Sequence, residues 1–335
     1  MIRKLMAACF IASAGLAAVW WIAAEPRLSA DPNPVQLRIP KGASQAQVFE
    51  LLHDNGVVTS PASLKLLSKV YPGSRAFRHG TYLFEKNRYL KILRQLRQGQ
   101  TLRLKITFPE GWTSYQMAER LAANGILSDP EAFAMIVKTS QLEGMLYPET
   151  YYFEPGSEPD AVIADMTRQF QKMYSEDLRA RAEEISWTDR QALTMASIIE
   201  REARIDSERP VIASVYHNRL KLRKLLEADP TVQYAISDGR FWKDRLTYKD
   251  LDTPSPYNTY RKAGLPPGPI CNPGIASIRA ALFPAETPYL YFVADPDGSG
   301  VHHFTRSYDQ HLQVQRDLKR SFRLKKAAAA RAKSQ

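Results

Sequence analysis

Two glutamic acids that end an apolar run are the residues of this 335-residue chain best suited to chemistry. Ala192, Leu193, Met195, Ala196, Ile198 and Ile199 leave no polar face until Glu200, Arg201 and Glu202 arrive, so a helix here must be buried almost all round. Leu193, Ala196 and Glu200 share one face of such a helix and Met195, Ile198 and Glu202 another, so periodicity does not choose between the two acids. A carboxyl group that loses hydration binds its proton more tightly, which suits a general acid that protonates a leaving oxygen near neutral pH. The structural alternative is an ordinary helix end in which Glu200 pairs with Arg204 at i,i+4, worth on the order of a few tenths of a kcal/mol.

Downstream come Asp229-Pro230-Thr231-Val232-Gln233-Tyr234, Tyr257-Asn258-Thr259-Tyr260, Gly264-Leu265-Pro266-Pro267-Gly268-Pro269-Ile270 and Asn272-Pro273-Gly274. Sugars are held by such side chains: aromatic faces stack on pyranose C–H surfaces, while amides and hydroxyls match ring hydroxyls and N-acetyl groups. Pro-Pro-Gly and Asn-Pro-Gly equally serve tight turns, so their prolines and glycines read as scaffold.

The elements that must position these residues follow from pattern. A capping box, Thr188-x-x-Gln191, opens the apolar helix. Helices over Ala161–Tyr174 and Asp177–Glu184 precede it, and a helix over Ser277–Leu282 and an apolar strand over Tyr289–Val293 come near the end. Earlier lies an internal repeat: Ile39-Pro40-x-Gly42 through Asn55-Gly56-Val57-Val58 and Pro61 aligns without gaps on Phe108-Pro109-x-Gly111 through Asn124-Gly125-Ile126-Leu127 and Pro130. Each copy predicts an alternating strand, a turn, Ser44 or Thr113 as helix N-cap, and Asn-Gly as the left-handed helix stop.

Residues Leu5–Ala24 carry no charge, and at about 1.5 Å per residue they span a hydrocarbon core of roughly 30 Å. Arg3 and Lys4 before the run, with Trp20 and Trp21 near its far end, place later residues outside the cytoplasm. The run is longer than a cleavable leader core, and no small-x-small pair lies between Ala18 and Glu25. Cys271 is the sole cysteine beyond the anchor, so no intrachain disulfide braces the exported part. A net charge of +11 suits an anionic partner, and the topology disfavours nucleic acid. The basic, alanine-rich stretch from Lys319 to Lys333 reads either as a frayed helix or as a solvated tail, the plainer reading being preferred.

Other chemistries lack their patterns. His302 and His303 would face opposite sides of a strand, no His-Glu-x-x-His occurs, and no metal site or cofactor is implied. The serine-hydrolase elbow and the phosphate-cradling glycine motifs are missing. Cys271 reads as a packed residue, not a nucleophile.

Ala196-Ser197-Ile198-Ile199-Glu200-Arg201-Glu202, Asp229-Pro230-Thr231-Val232, Tyr257-Asn258-Thr259-Tyr260, Gly264-Leu265-Pro266-Pro267-Gly268 and Tyr291-Phe292-Val293-Ala294 together resemble the endolytic murein transglycosylases, the YceG-like family, in order and over nearly the whole chain. Leu142-Glu143-Gly144 and Tyr147-Pro148-Glu149-Thr150 fit the same pattern. The resemblance implies a lytic transglycosylase that breaks the bond between N-acetylmuramic acid and N-acetylglucosamine without water, leaving a 1,6-anhydro ring. It implies Glu200 as acid and base; Gln233, Tyr257, Asn258, Thr259, Tyr260 and Asn272 of the amide-rich loops are then the expected holders of the flanking sugars, and Glu202 and Glu149 are secondary candidates. One carboxylate then suffices, whereas a hydrolase normally needs two.

The expected fold is α+β, in the order cytoplasmic stub and anchor (1–25), stalk (26–34), LysM-like module (35–103), catalytic domain (104–320, with a second strand-helix module at 104–155) and basic tail (321–335). The expected protein sits in the inner membrane by one helix, its N-terminus cytoplasmic and its catalytic domain periplasmic. There it would act on nascent glycan strands, ending their elongation, beside peptidoglycan synthases. A hydrolytic muramidase and a non-catalytic wall-binding scaffold are the rival readings.

Overall fold

The computed structural model describes residues 33–71 and 76–333. The expected anchor and most of the stalk lie outside the described residues, among which no helix is long and apolar enough to cross a membrane. The chain divides into two compact units, one holding the described residues through Lys105 with Tyr152–Gly156, the other Ile106–Tyr151 and Ser157 onward.

The first unit runs β1 (Val35–Ile39), α1 (Gln45–Asp54), α2 (Pro61–Val70), β2 (Gly80–Phe84) and α3 (Tyr89–Gln98). Strands β1 and β2 pair antiparallel, Val35 opposite Phe84 and Ile39 opposite Gly80. Ser44 and Gln47 close a reciprocal capping box at the start of α1. Helix α3 buries Tyr89, Ile92, Leu93 and Leu96, an i, i+3, i+4, i+7 stripe. That stripe meets Val48 and Leu52 of α1, Leu64 of α2, and Tyr82 and Phe84 of β2 in one core, each large side chain stabilising the unit by roughly 1.5–3 kcal/mol.

The second copy of the repeat builds β3 (Leu104–Thr107), α4 (Ser114–Ala123) and α5 (Pro130–Thr139). Thr113 and Gln116 repeat the capping box, and Asp129 caps α5 as Ser60 caps α2. Gly56 and Gly125 take φ of +68° and +69° just past their helices, the left-handed stop read from Asn-Gly. The likeness of the copies thus extends beyond the aligned motifs to a second helix in each.

Strand β4 (Thr150–Phe153) pairs with β3. Then follow α6 (Pro159–Met173), α7 (Glu176–Glu184), α8 (Asp189–Glu202), a 3-10 turn (Asp206–Glu208), α9 (Arg209–Lys221), α10 (Asp229–Ser237), α11 (Tyr248–Leu251), α12 (Ile275–Leu282), β5 (Tyr291–Ala294), β6 (His302–Thr305) and α13 (Tyr308–Lys333). The fold is mixed α+β, with two-stranded sheets and a helical second unit.

Helix α8 is the axis of that unit. Every residue from Ala192 to Ile199 is buried, enclosed by α7, α9, α10 and α12. Its two interior hydroxyls bond back along the helix, Thr194 to the Arg190 carbonyl and Ser197 to the Thr194 carbonyl, so burial leaves neither unpaired.

Two expectations change. The apolar run at Tyr289–Val293 forms its strand two residues late, where among the described residues β6 alone pairs with it, and Tyr291, Phe292 and Val293 stay half-buried. Residues 319–333 continue helix α13, the helical of the two readings and not the preferred one, since their alanine, lysine and arginine are strong helix formers.

Candidate active site

Helix α8 delivers Glu200 at its C-terminal end with 7% of the side chain exposed. The loop before α12 meets it there. Ile270 donates its backbone N–H to Ser197 Oγ at 3.0 Å, the Cys271 thiol bonds the Ser197 carbonyl, and Gly274 donates its N–H to Glu200 Oε2 at 3.0 Å. Residues 197 and 200 lie one turn apart, so each clamps one end of the same loop segment. Glu200 Oε1 faces Arg209 Nη2 at 3.4 Å, not the Arg204 of the helix-end reading.

Arg209 is itself buried, and the same Nη2 lies 3.3 Å from Asp206. Its Nε and Nη1 are buried and have no partner among the described residues. A cation in the first turn of α9 opposes the helix dipole, so its place is set by the acids around it.

A second carboxylate stands beside Glu200. Gly111 and Trp112 exchange backbone hydrogen bonds with Asn272, fixing the Pro109-Glu110-Gly111 turn against the loop. A methyl group built on Gly111 would lie 3.4 Å from Glu200 Cγ, and one built on Gly274 would lie 1.8 Å from Glu110 Oε1. The Glu110 carboxylate therefore fills the place of a Gly274 side chain, while the Gly274 N–H serves Glu200. Its carboxyl is held above the usual range by lost hydration and next by the charge on Glu200, with Arg209 pulling the other way and Asp206 adding to the rise.

The family model described as YceG-like matches residues 37–317, from β1 into α13. The chain belongs to the YceG-like family. It is 35% identical over 316 residues to the endolytic murein transglycosylase of Bacillus subtilis, covering 86% of this chain and 85% of that protein. It is 26% identical over 324 residues to the protein of that name in Streptococcus pneumoniae R6, covering 84% of this chain and 58% of that protein. Among solved structures, a YceG-like protein of Listeria monocytogenes is similar with a TM-score of 0.55 at 32% identity, covering 84% of this chain and 99% of that one.

The other residues singled out in this YceG-like chain fall into separate places. Asn272 is fully buried: its Oδ1 accepts from Gly144 and Leu146, and its Nδ2 donates to Glu143 and the Trp112 carbonyl. Glu143 also takes Ser114 N–H and hydroxyl, and withdrawal from water pushes its carboxyl up to about 7 against those hydrogen bonds. Asn258 is buried and donates to the Leu251 and Thr253 carbonyls. Thr259 is buried against Thr231 and the Ala228 N–H. Gln233 accepts from the Lys243 backbone, and Tyr257 packs on Tyr234 with ring centres 4.7 Å apart. Glu149 is exposed and accepts from Gln169.

Glu202 faces away from Glu200, as its phase on α8 requires. It accepts from the Tyr216 hydroxyl at 2.9 Å and borders a cavity of about 310 Å³ with Asp229, Tyr260 and Tyr291. Tyr260 donates to Asp229 at 2.7 Å, which groups it with Glu202 and not with Glu200. Burial first, and the Asp229 charge in addition, push the Glu202 carboxyl up to about 7, while Tyr216 and Arg201 lower it.

Glu110 and Arg209 escaped the reading of the sequence, as did the half-buried Trp112 and Trp242. Arg120 lies over the Trp112 ring at 4.3 Å and Arg201 over Trp242 at 4.0 Å. One signal was present: the two repeat copies carry Lys41 and Glu110 at the same step, the second copy alone placing an acid in its turn.

Among the described residues no group of three histidine, cysteine or acidic side chains is placed to hold a metal ion. His302 bonds Glu208 and His303 bonds Asp295.

Proposed function

We propose that this chain is an endolytic lytic transglycosylase that cleaves the N-acetylmuramic acid to N-acetylglucosamine bond within peptidoglycan strands, with Glu200 as its acid and base. The observation that carries the reading is a nearly enclosed carboxylate at the end of a helix buried from Ala192 to Ile199, held on one oxygen by the Gly274 N–H and faced on the other by Arg209. Similarity to proteins named endolytic murein transglycosylases supports the substrate.

Protonated Glu200 gives its proton to the glycosidic oxygen as the bond from that oxygen to the muramic anomeric carbon breaks. The muramic 6-hydroxyl oxygen then bonds to that carbon, and its proton passes to the Glu200 carboxylate. The acid is restored, a 1,6-anhydro ring closes and no water is consumed, so no second carboxylate is needed as nucleophile.

Gln233 and Tyr257 are the candidate contacts to flanking sugars, with Trp112 and Trp242 as stacking faces, whereas Tyr260 goes with Glu202 and Asp229. Asn258, Thr259 and Asn272 act through the loops they tie down. Glu202 and Glu149 stand as secondary candidates.

The first unit, whose strand–helix–helix–strand start has a LysM-like plan, is the glycan-holding module. The uncharged Leu5–Ala24 run behind Arg3 and Lys4 anchors the protein in the inner membrane with its N-terminus cytoplasmic. The catalytic domain then lies in the periplasm, where it ends the elongation of nascent strands beside the synthases that make them.

The test is digestion of purified peptidoglycan by the full-length chain in detergent, wild type beside Glu200→Gln, with mass analysis of the released ends. Anhydro ends from wild type and none from the variant are expected. Reducing ends would make the enzyme a muramidase, and unchanged release by Glu200→Gln would remove Glu200 from the chemistry.

A further inference from the structure

The reaction as written assigns no task to Glu110, although its carboxylate shares Gly274 with Glu200. Electrostatics leave a task open. A general acid must carry a proton when the bond breaks, yet the Arg209 guanidinium favours the ionised form of any carboxyl beside it. Arg209 is buried, two of its nitrogens have no partner among the described residues, and Asp206, which meets it at 3.3 Å, is 86% exposed, so water screens that acid's share. One further negative group in the site offsets it. Leaving aside the solvated Asp206, Glu200 and Glu110 with Arg209 carry a net charge of minus one when both acids are ionised and zero when they hold a single proton, and the enclosure of Glu200 and Arg209 favours the neutral set.

We propose that Glu110 is a positioning carboxylate of this reaction, paired with Glu200 across Gly274 so that the two retain one proton, available to Glu200 each time a glycosidic bond is broken. This rests on the reading of Glu200 as acid and base. The proton given to the leaving oxygen is replaced by the one taken from the 6-hydroxyl, so the pair returns to its starting state after each turnover. The other charged or titratable groups facing it are Arg209 and Asp206 from the start of α9 and the turn before it, Arg201 from α8, Cys271 from the loop, and Tyr147. Of these only Arg209 and Arg201 are cations, and Arg201 is exposed and lies over Trp242.

The test is the pH–rate profile of anhydro-end release by the full-length enzyme, for wild type, Glu110→Gln, Glu110→Asp and Glu200→Gln. Glu110 is exposed on its outer side, so the isosteric glutamine leaves the packing in place. Glu110→Gln is expected to move the high-pH limb down by about one pH unit or more, with activity recovering on acidification, and Glu110→Asp to keep the wild-type limb. A Glu110→Gln profile that superimposes on wild type, or falls by one factor at every pH, overturns the proposal.

Carboxyl-carbon NMR titration of the wild-type protein decides it independently should the variant not fold. Two linked steps are expected, and two independent ordinary titrations overturn it. Wild-type activity in Glu200→Gln would instead sink the reading of Glu200. An inactive Glu200→Gln beside an unshifted Glu110→Gln would remove only the role given to Glu110.

Discussion

Ser197 Oγ accepts the Ile270 N–H at 3.0 Å one helical turn before Glu200 accepts the Gly274 N–H. A single side of α8 thereby holds both ends of the loop that shapes the site. Both Ser197 and Ile270 are fully buried, so Ser197→Ala leaves a donor unpaired in the core, at about 1–3 kcal/mol. The unfolding free energy from urea titration is expected to fall by that amount, and the midpoint with it. Activity measured well below the midpoint is expected to fall as well, because Gly274 no longer meets Glu200 at a fixed distance. Lost stability with full activity would show that the loop's near end does not depend on Ser197.

Gly274→Ala separates the site from the fold in the opposite sense. Gly274 has φ of −75°, which any residue adopts, so the added methyl meets no backbone strain. Its conflict is with the Glu110 carboxylate at 1.8 Å, the mobile end of a side chain that can swing toward solvent. Stability is expected to change by less than about 1 kcal/mol. The pH–rate profile should come to resemble that of Glu110→Gln, and an unchanged profile would mean that the position of Glu110 does not matter.

Local rules made the scaffold legible. The apolar run of α8, the Thr188 capping box, the Thr113 and Ser44 N-caps and the Asn-Gly stops are each set within a few residues, and the repeat announced one strand and one helix of shared plan per copy. What stayed hidden depends on distant contacts. Glu110 meets Glu200 across 90 positions, and Arg209 breaks the helix-dipole rule for a reason seen only when both acids are in view. The amide-rich loops misled for a related reason: composition shows that Asn258 and Asn272 can hydrogen-bond, but whether they face a sugar or the protein is decided by burial.

Asn272 gives that distinction a measurement. Its side chain serves Gly144, Leu146, Glu143 and Trp112 at once. Asn272→Ala orphans several buried groups and is expected to cost on the order of 3 kcal/mol or more. A sugar contact would behave otherwise, raising KM with the urea midpoint unmoved, and that result would overturn the scaffold role.

Glu202 links the fold to pH. Its carboxyl is pushed up to about 7 in the folded protein from an ordinary 4.5, chiefly by burial. Between those values the native state binds the proton more tightly than the unfolded chain. Its contribution is therefore fully present below about pH 4.5 and is lost as pH rises through about 7, on the order of a few kcal/mol. Glu202→Gln removes this loss while keeping an acceptor for the Tyr216 hydroxyl. The variant is expected to match wild type in urea at pH 4.5 and to exceed it at pH 8, with Glu143, raised for the same reason, supplying the slope that remains. Because Glu202 faces the opposite side of α8, release of anhydro ends should stay close to wild type. A stability difference that is equal at the two pH values would refute the titration argument, and loss of activity in a stable variant would make Glu202 part of the reaction.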